Sequence, residues 1–150
     1  MIVESRVDAG CYRYTRPMND GFATSIQPEL WVDNPREAVA FYEAAFGATV
    51  LHRVGPGEDV VVQLAVEGAA FWVAGTSASL GRLSPREAGG GTSRTLLVVA
   101  DPEGVVRHAV AAGATEASPV ADEHGWRLGR IVDPFGHEWE IGFPLVSWPP

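Results

Sequence analysis

Two glutamates stand two residues apart in the stretch DPFGHEWEIGFP (residues 133–144), with a histidine before them and a tryptophan between them. Side chains alternate between the faces of a strand. Glu138 and Glu140 therefore share one face, and Trp139 and Ile141 the other. A carboxylate on the inner face of a sheet can hold a hard cation, act as a general base or close an ion pair. The preceding Asp133-Pro134-Phe135-Gly136 is a turn by its own chemistry, since proline presets φ and glycine accepts a positive φ. His137 beside it is read as a hydrogen-bonding turn residue rather than a ligand. His52 and His108 are read as surface residues of a strand end and a helix. His124, in ADEHGWRLG, lies in a loop that can border a binding cavity. Cys11 has no base placed beside it and is read as a bystander.

Other chemistries lack their motifs. There is no G-x-S-x-G nucleophile elbow and no phosphate-cradling G-x-x-x-x-G-K. The glycines at 89–91 lack the preceding strand and following helix of a dinucleotide loop. A single cysteine excludes an intrachain disulfide and a Cys-rich zinc site. A formal net charge of −8 argues against a nucleic-acid partner, which needs a basic surface, and against an anionic membrane surface. No apolar run approaches the roughly 18 residues of a membrane span. The N-terminal residues show no basic start followed by an apolar block. The expected location is cytoplasmic. Hydrophobic residues at 46% and charged residues at 20% fit a packed core.

The elements that must position the glutamates follow from periodicity and punctuation. Residues 1–24 read as an extended lead-in. SIQPELWV (25–32) alternates and reads as a strand. In DNPREAVAFYEAAFGA, Asp33 or Asn34 can cap a helix, Pro35 suits its first turn and Gly47 can end it. Strands follow over 49–54, at VVVQLAVEG and at AAFWVAG, with a tight connection near Glu67-Gly68. Residues 77–92 are polar and glycine-rich and read as a linker. The pattern then repeats. RTLLVVADPEGVVRHAVAAGATEA echoes QPELWVDNPREAVAFYEAAFGATV, with Pro102 matching Pro35, Leu97 matching Leu30 and Val99 matching Val32. Helices are expected over 35–46 and 102–112, and two strands precede the tail at 145–150. The chain is thus an α+β protein of two tandem β-α-β-β-β modules, over 25–76 and 93–144.

A duplicated module of this kind, with ELWVDNPREAVAFYEAAFGA and IVDPFGHEWEIGFP as its carriers, resembles the glyoxalase/bleomycin resistance/extradiol dioxygenase superfamily, the vicinal oxygen chelate proteins. The resemblance covers residues 26–144. It implies modules paired around a cavity, often in a homodimer. It does not fix the chemistry, since the fold hosts metal enzymes and metal-free binders alike. The resemblance also implies four cavity-facing ligand positions in metal-dependent members, matched here by Gln27, Trp72, Arg94 and Glu140. An amide oxygen and a carboxylate suit a metal; an indole and a permanent guanidinium do not. The expectation is no metal and no cofactor, with Arg94 paired to Glu140 where the ion would sit. Alternation adds Glu29 and Trp31 to the face of Gln27. The expected function is binding of a small, partly aromatic molecule, stacked on Trp31 and Trp72, with Trp126 a further candidate and His124 at the border. The alternatives are a metal-dependent lyase, isomerase or dioxygenase using Glu140 and Gln27, and a non-metal enzyme with Glu140 or Glu29 as general base.

Overall fold

The computed structural model describes residues 23–57 and 59–147. Most of the lead-in, Cys11 within it, and the last three residues lie outside that range. The first strand, β1, spans Glu29–Val32 and is shorter than its alternating pattern. Pro28 has no N–H to give to a ladder, which delays the strand's start. The Pro28 carbonyl still accepts from the Trp72 N–H at 2.8 Å, so the chain before β1 runs beside the strand that carries Trp72. Asn34, not Asp33, caps the first helix, its side chain accepting from the Glu37 N–H at 3.1 Å. Helix α1 runs Pro35–Phe46 and ends at Gly47, whose φ of 66° is the left-handed geometry that glycine supplies freely. It buries Ala38, Val39, Phe41, Tyr42, Ala45 and Phe46.

Strands β2 (Thr49–Val54), β3 (Val61–Val66) and β4 (Ala69–Gly75) complete the first module. Its sheet order is β1-β4-β3-β2, with β1 parallel to β4 and the other pairs antiparallel. The residues between modules are more ordered than a polar linker suggests. They hold a 3-10 turn at Ala78–Leu80 and a single-turn helix α2 (Pro85–Ala88), closed by a reciprocal Ser84–Glu87 capping box. The second module repeats the first: β5 (Arg94–Val98), α3 (Pro102–Ala111), β6 (Thr115–Glu123), β7 (Trp126–Val132) and β8 (Glu138–Pro144), in sheet order β5-β8-β7-β6. No described helix is long and apolar enough to cross a membrane.

One core serves both modules. Leu30, Val32, Val62, Leu64, Phe71 and Val73 of the first sheet and Leu97, Ile131, Trp139 and Ile141 of the second pack with α1 and α3. Phe71 and Trp139 sit on opposite sheets, yet their rings lie 5.6 Å apart, with Tyr42 and Phe46 against them. The modules therefore meet on their helix-bearing sides.

The turn Asp133-Pro134-Phe135-Gly136 pins this contact. The buried Asp133 carboxylate accepts four hydrogen bonds. Oδ1 takes the Phe135 and His137 N–H groups at 3.0 and 2.9 Å. Oδ2 takes the Tyr42 hydroxyl at 2.5 Å and the Trp139 indole N–H at 3.0 Å. Tyr42 comes from α1 and Asp133 from the β7–β8 turn, so this cluster also joins the modules. Burial, and then the negative charge of Asp133, push the Tyr42 hydroxyl well above the ordinary tyrosine range.

Candidate functional site

The opposite faces of both sheets carry the polar residues. In β1, Leu30 and Val32 are buried against α1, which leaves Glu29 and Trp31 on the other face. In β8, Trp139 and Ile141 are buried, and Glu138 and Glu140 face away from the core. Most of both faces is uncovered by the described residues; the exception is Trp31, whose indole N–H is buried beside the linker without a hydrogen-bond partner among them. Glu29, Arg94 and Glu138 are exposed, and so are Leu96 and Val98 of β5.

Register makes the two modules comparable residue by residue. Glu29 pairs with Trp72 and Leu96 pairs with Glu140. Glu29 and Leu96 each precede the matched Leu30 and Leu97, so Trp72 and Glu140 occupy equivalent places. The same cross-strand row continues through Gln63 to His52 in the first module. In the second it continues through Arg130 to Ser118. Gln27 and Arg94, each three residues before its matched leucine, are the fifth equivalent pair.

In the first module the row closes on itself. Gln27 Oε1 accepts from the Trp72 indole N–H at 2.8 Å and from Gln63 Nε2 at 2.9 Å. Gln27 Nε2 donates to Ser25 Oγ at 3.1 Å. The His52 ring stands edge-on to the Trp72 indole, 6.5 Å between centroids. In the second module Arg94 Nη1 donates to Glu140 Oε1 at 2.8 Å, the expected pair, and Arg94 Nε donates to Glu138 Oε2 at 3.2 Å. The bonds to Glu138 and then Glu140 raise the guanidinium above its already high range. This triad is not buried. Its side chains keep 40% (Arg94), 27% (Glu140) and 51% (Glu138) of their exposure, so water screens it and the ion pairs add little to stability by themselves.

The remaining expected residues fall into place around these two rows. The Trp31 carbonyl can only accept, so His137 Nε2 donates to it, at 2.9 Å. That bond makes His137 a turn residue tied to β1. Trp31, Glu138 and glycines 90 and 91 of the linker line a recess of about 340 Å³, so the linker borders this face. His124 stands apart from both rows. It sits at φ 51° on the β6–β7 turn, its side chain exposed and 3.5 Å from Glu123. Gln63 and Arg130 were not singled out from the sequence, which marks His52 only as a surface residue and places Glu138 only on the face of Glu140. Alternation on β3 and β7 carries the signal for Gln63 and Arg130, but only the pairing register turns alternation into neighbours.

The donor set does not fit a metal ion. Both lone-pair directions of the Gln27 amide oxygen are taken by N–H donors. Trp72 offers only a donor, and Arg94 places a fixed cation against Glu140. No group of three His, Cys, Asp or Glu among the described residues is arranged to hold a metal.

Four likenesses bear on this geometry. The sequence profile of the Glyoxalase/Bleomycin resistance protein/Dioxygenase superfamily matches residues 23–141. The chain is 35% identical over 132 residues to the uncharacterized protein Mb0911c of Mycobacterium bovis, covering 81% of this chain and 84% of that protein. Among solved structures it is similar to TioX from a Micromonospora species, with a TM-score of 0.64 at 25% identity over 82% of this chain and all of that one. It is also similar to an Arabidopsis thaliana gene product, with a TM-score of 0.61 at 29% identity over 81% of this chain and 99% of that one.

Proposed function

Because the chain belongs to the glyoxalase/bleomycin resistance protein/dioxygenase superfamily, we propose that its open sheet faces form a metal-free binding cavity for a small, partly aromatic molecule. The observation that carries this reading is the chemistry of Gln27, Trp72, Arg94 and Glu140. At the positions matched to metal ligands, each side chain is satisfied by another side chain of its own module. Trp72 and the half-buried Trp31 offer flat apolar surface for stacking, and the polar groups around them orient a ligand.

Two measurements test it. Elemental analysis of protein purified without chelator is expected to find no stoichiometric nickel, zinc, iron or manganese. A stoichiometric metal that Glu140→Ala removes overturns the reading in favour of metal chemistry. Phenylnaphthylamine, a neutral aromatic dye, is expected to bind the intact protein, and Trp72→Ala is expected to weaken it by about five- to tenfold through lost stacking. A dye affinity untouched by Trp72→Ala counts against the face.

A second copy of the chain closes the cavity in this reading. The modules use their helix-bearing sides on each other, so most of each open face has no cover among the described residues. Strand β5 is a sheet edge, and it exposes Leu96 and Val98 on the same face as Arg94. Natural edge strands with exposed apolar side chains are ordinarily covered. Light scattering at micromolar concentration is expected to give twice the 16.0 kDa chain mass. A monomeric mass rejects the homodimer.

A further inference from the structure

We propose that Arg130 recognises an anionic group on the ligand, so that the molecule bound is a planar aromatic acid: a carboxylate, sulfonate or phosphonate on a flat apolar body. This rests on the reading of the open faces as the binding surface. Arg130 lies on β7 between the buried Gly129 and Ile131, so its side chain projects from the open face. It is the register neighbour of Glu140, in the row that Leu96 begins. Its equivalent in the first module is Gln63, whose amide reaches across the row to Gln27. That contact shows how far a side chain at this position extends toward the centre of the face.

In the second module the same contact is closed to Arg130. The partner position is held by Arg94, and two guanidinium groups repel. Arg94 is itself engaged by Glu138 and Glu140. The Arg130 side chain therefore remains exposed and makes no hydrogen bond or ion pair to any described residue. A guanidinium presents a planar fork of donors that matches a carboxylate or a phosphonate with two parallel bonds. The carboxylates beside it are held by Arg94, which lowers the repulsion an incoming anion would meet. Leu96, next to Glu140 in the row, supplies apolar surface for the ligand body.

The test uses a matched pair of dyes with the intact chain. Anilinonaphthalenesulfonate carries the anion, and phenylnaphthylamine is the same ring system without it. The sulfonate is expected to bind more tightly than the neutral dye. Arg130→Ala and Arg130→Gln are expected to weaken the sulfonate by about tenfold or more, the loss of a charge-assisted bond, and to leave the neutral dye within about twofold. Arg130→Lys is expected to restore part of the difference. Arg130 is exposed, so these variants are expected to unfold at the same denaturant midpoint as the parent. Unchanged sulfonate affinity in Arg130→Ala, with neutral-dye binding still weakened by Trp72→Ala, overturns the role of Arg130 and leaves the binding face standing. Neutral-dye binding that ignores Trp72→Ala removes the face, and the role of Arg130 with it.

Discussion

Asp133→Ala is expected to lower the unfolding free energy by about 4 kcal/mol, read as a shift of the urea midpoint. The carboxylate accepts four hydrogen bonds, and two of the donors, the Tyr42 hydroxyl and the Trp139 indole N–H, are buried. Truncation leaves both in the core without an acceptor, at roughly 1–3 kcal/mol each, and frees the two backbone donors of the turn. Asp133→Asn keeps the shape and one acceptor oxygen, so it is expected to cost about half as much. Tyr42→Phe removes one donor and gives the pH signature. In the folded chain the hydroxyl stays protonated well above its ordinary value, whereas in the unfolded chain it ionises near pH 10. Above that pH the unfolded state binds fewer protons, so stability falls as pH rises toward the folded pKa. Tyr42→Phe is expected to lose that part of the alkaline slope. A midpoint for Asp133→Ala within about 0.5 kcal/mol of the parent would show that the cluster does not hold the modules together.

Trp139→Ala is expected to cost about 3–5 kcal/mol, the range for removing a large buried aromatic side chain. Trp139 is 2% exposed. Its ring meets Phe46 at 4.9 Å, Phe71 at 5.6 Å and Tyr42 at 5.7 Å, all from the first module, while Trp139 belongs to the second. The hole would open where the modules meet, not inside either of them. Unfolding of the parent is expected to be one cooperative transition. Combining Trp139→Ala with Asp133→Ala is expected to cost less than the sum, because both remove the same hydrogen bond. Additive losses, or a Trp139→Ala penalty below about 1 kcal/mol, would place the junction elsewhere.

The helices were legible because their signals are local. Asn34, Pro35 and Gly47 punctuate α1, and Pro102, matched to Pro35, opens α3. The echo of one module in the other exposed the duplication, while the match of Trp72 with Glu140 came from the family resemblance. Local alternation also gave the right faces for Leu30, Leu97 and Trp139. What stayed hidden depends on partners distant in sequence. Gln63 and Arg130 gain meaning only from ladders that set them beside Trp72 and Glu140. Irregular register between Val50 and His52, and at two places in β6, interrupts the simple alternation that would have placed His52 and Ser118. Asp133 looked like a turn residue and is one, but its bond to Tyr42 spans 91 positions. The capping box that orders the linker was written in Ser84-Pro85-Arg86-Glu87, and its polar, glycine-rich surroundings masked it.

The equivalence of the two rows has a consequence for ligand orientation. A duplicated frame offers two seats related by a pseudo-twofold rotation, and an elongated guest could lie in it either way round. Here the side chains break that degeneracy. One seat is centred on the neutral cluster of Gln27, Trp72 and Gln63, with the Glu29 carboxylate at its edge. The other is ionic, built from Arg94, Glu140 and Arg130. Reversing a guest with an apolar end and a charged end would put its charge on the indole and its apolar body among the ions. If the proposed face binds a ligand, duplication would supply the symmetry of the vessel and divergence its polarity: a head and a tail, with one direction of entry favoured over the other.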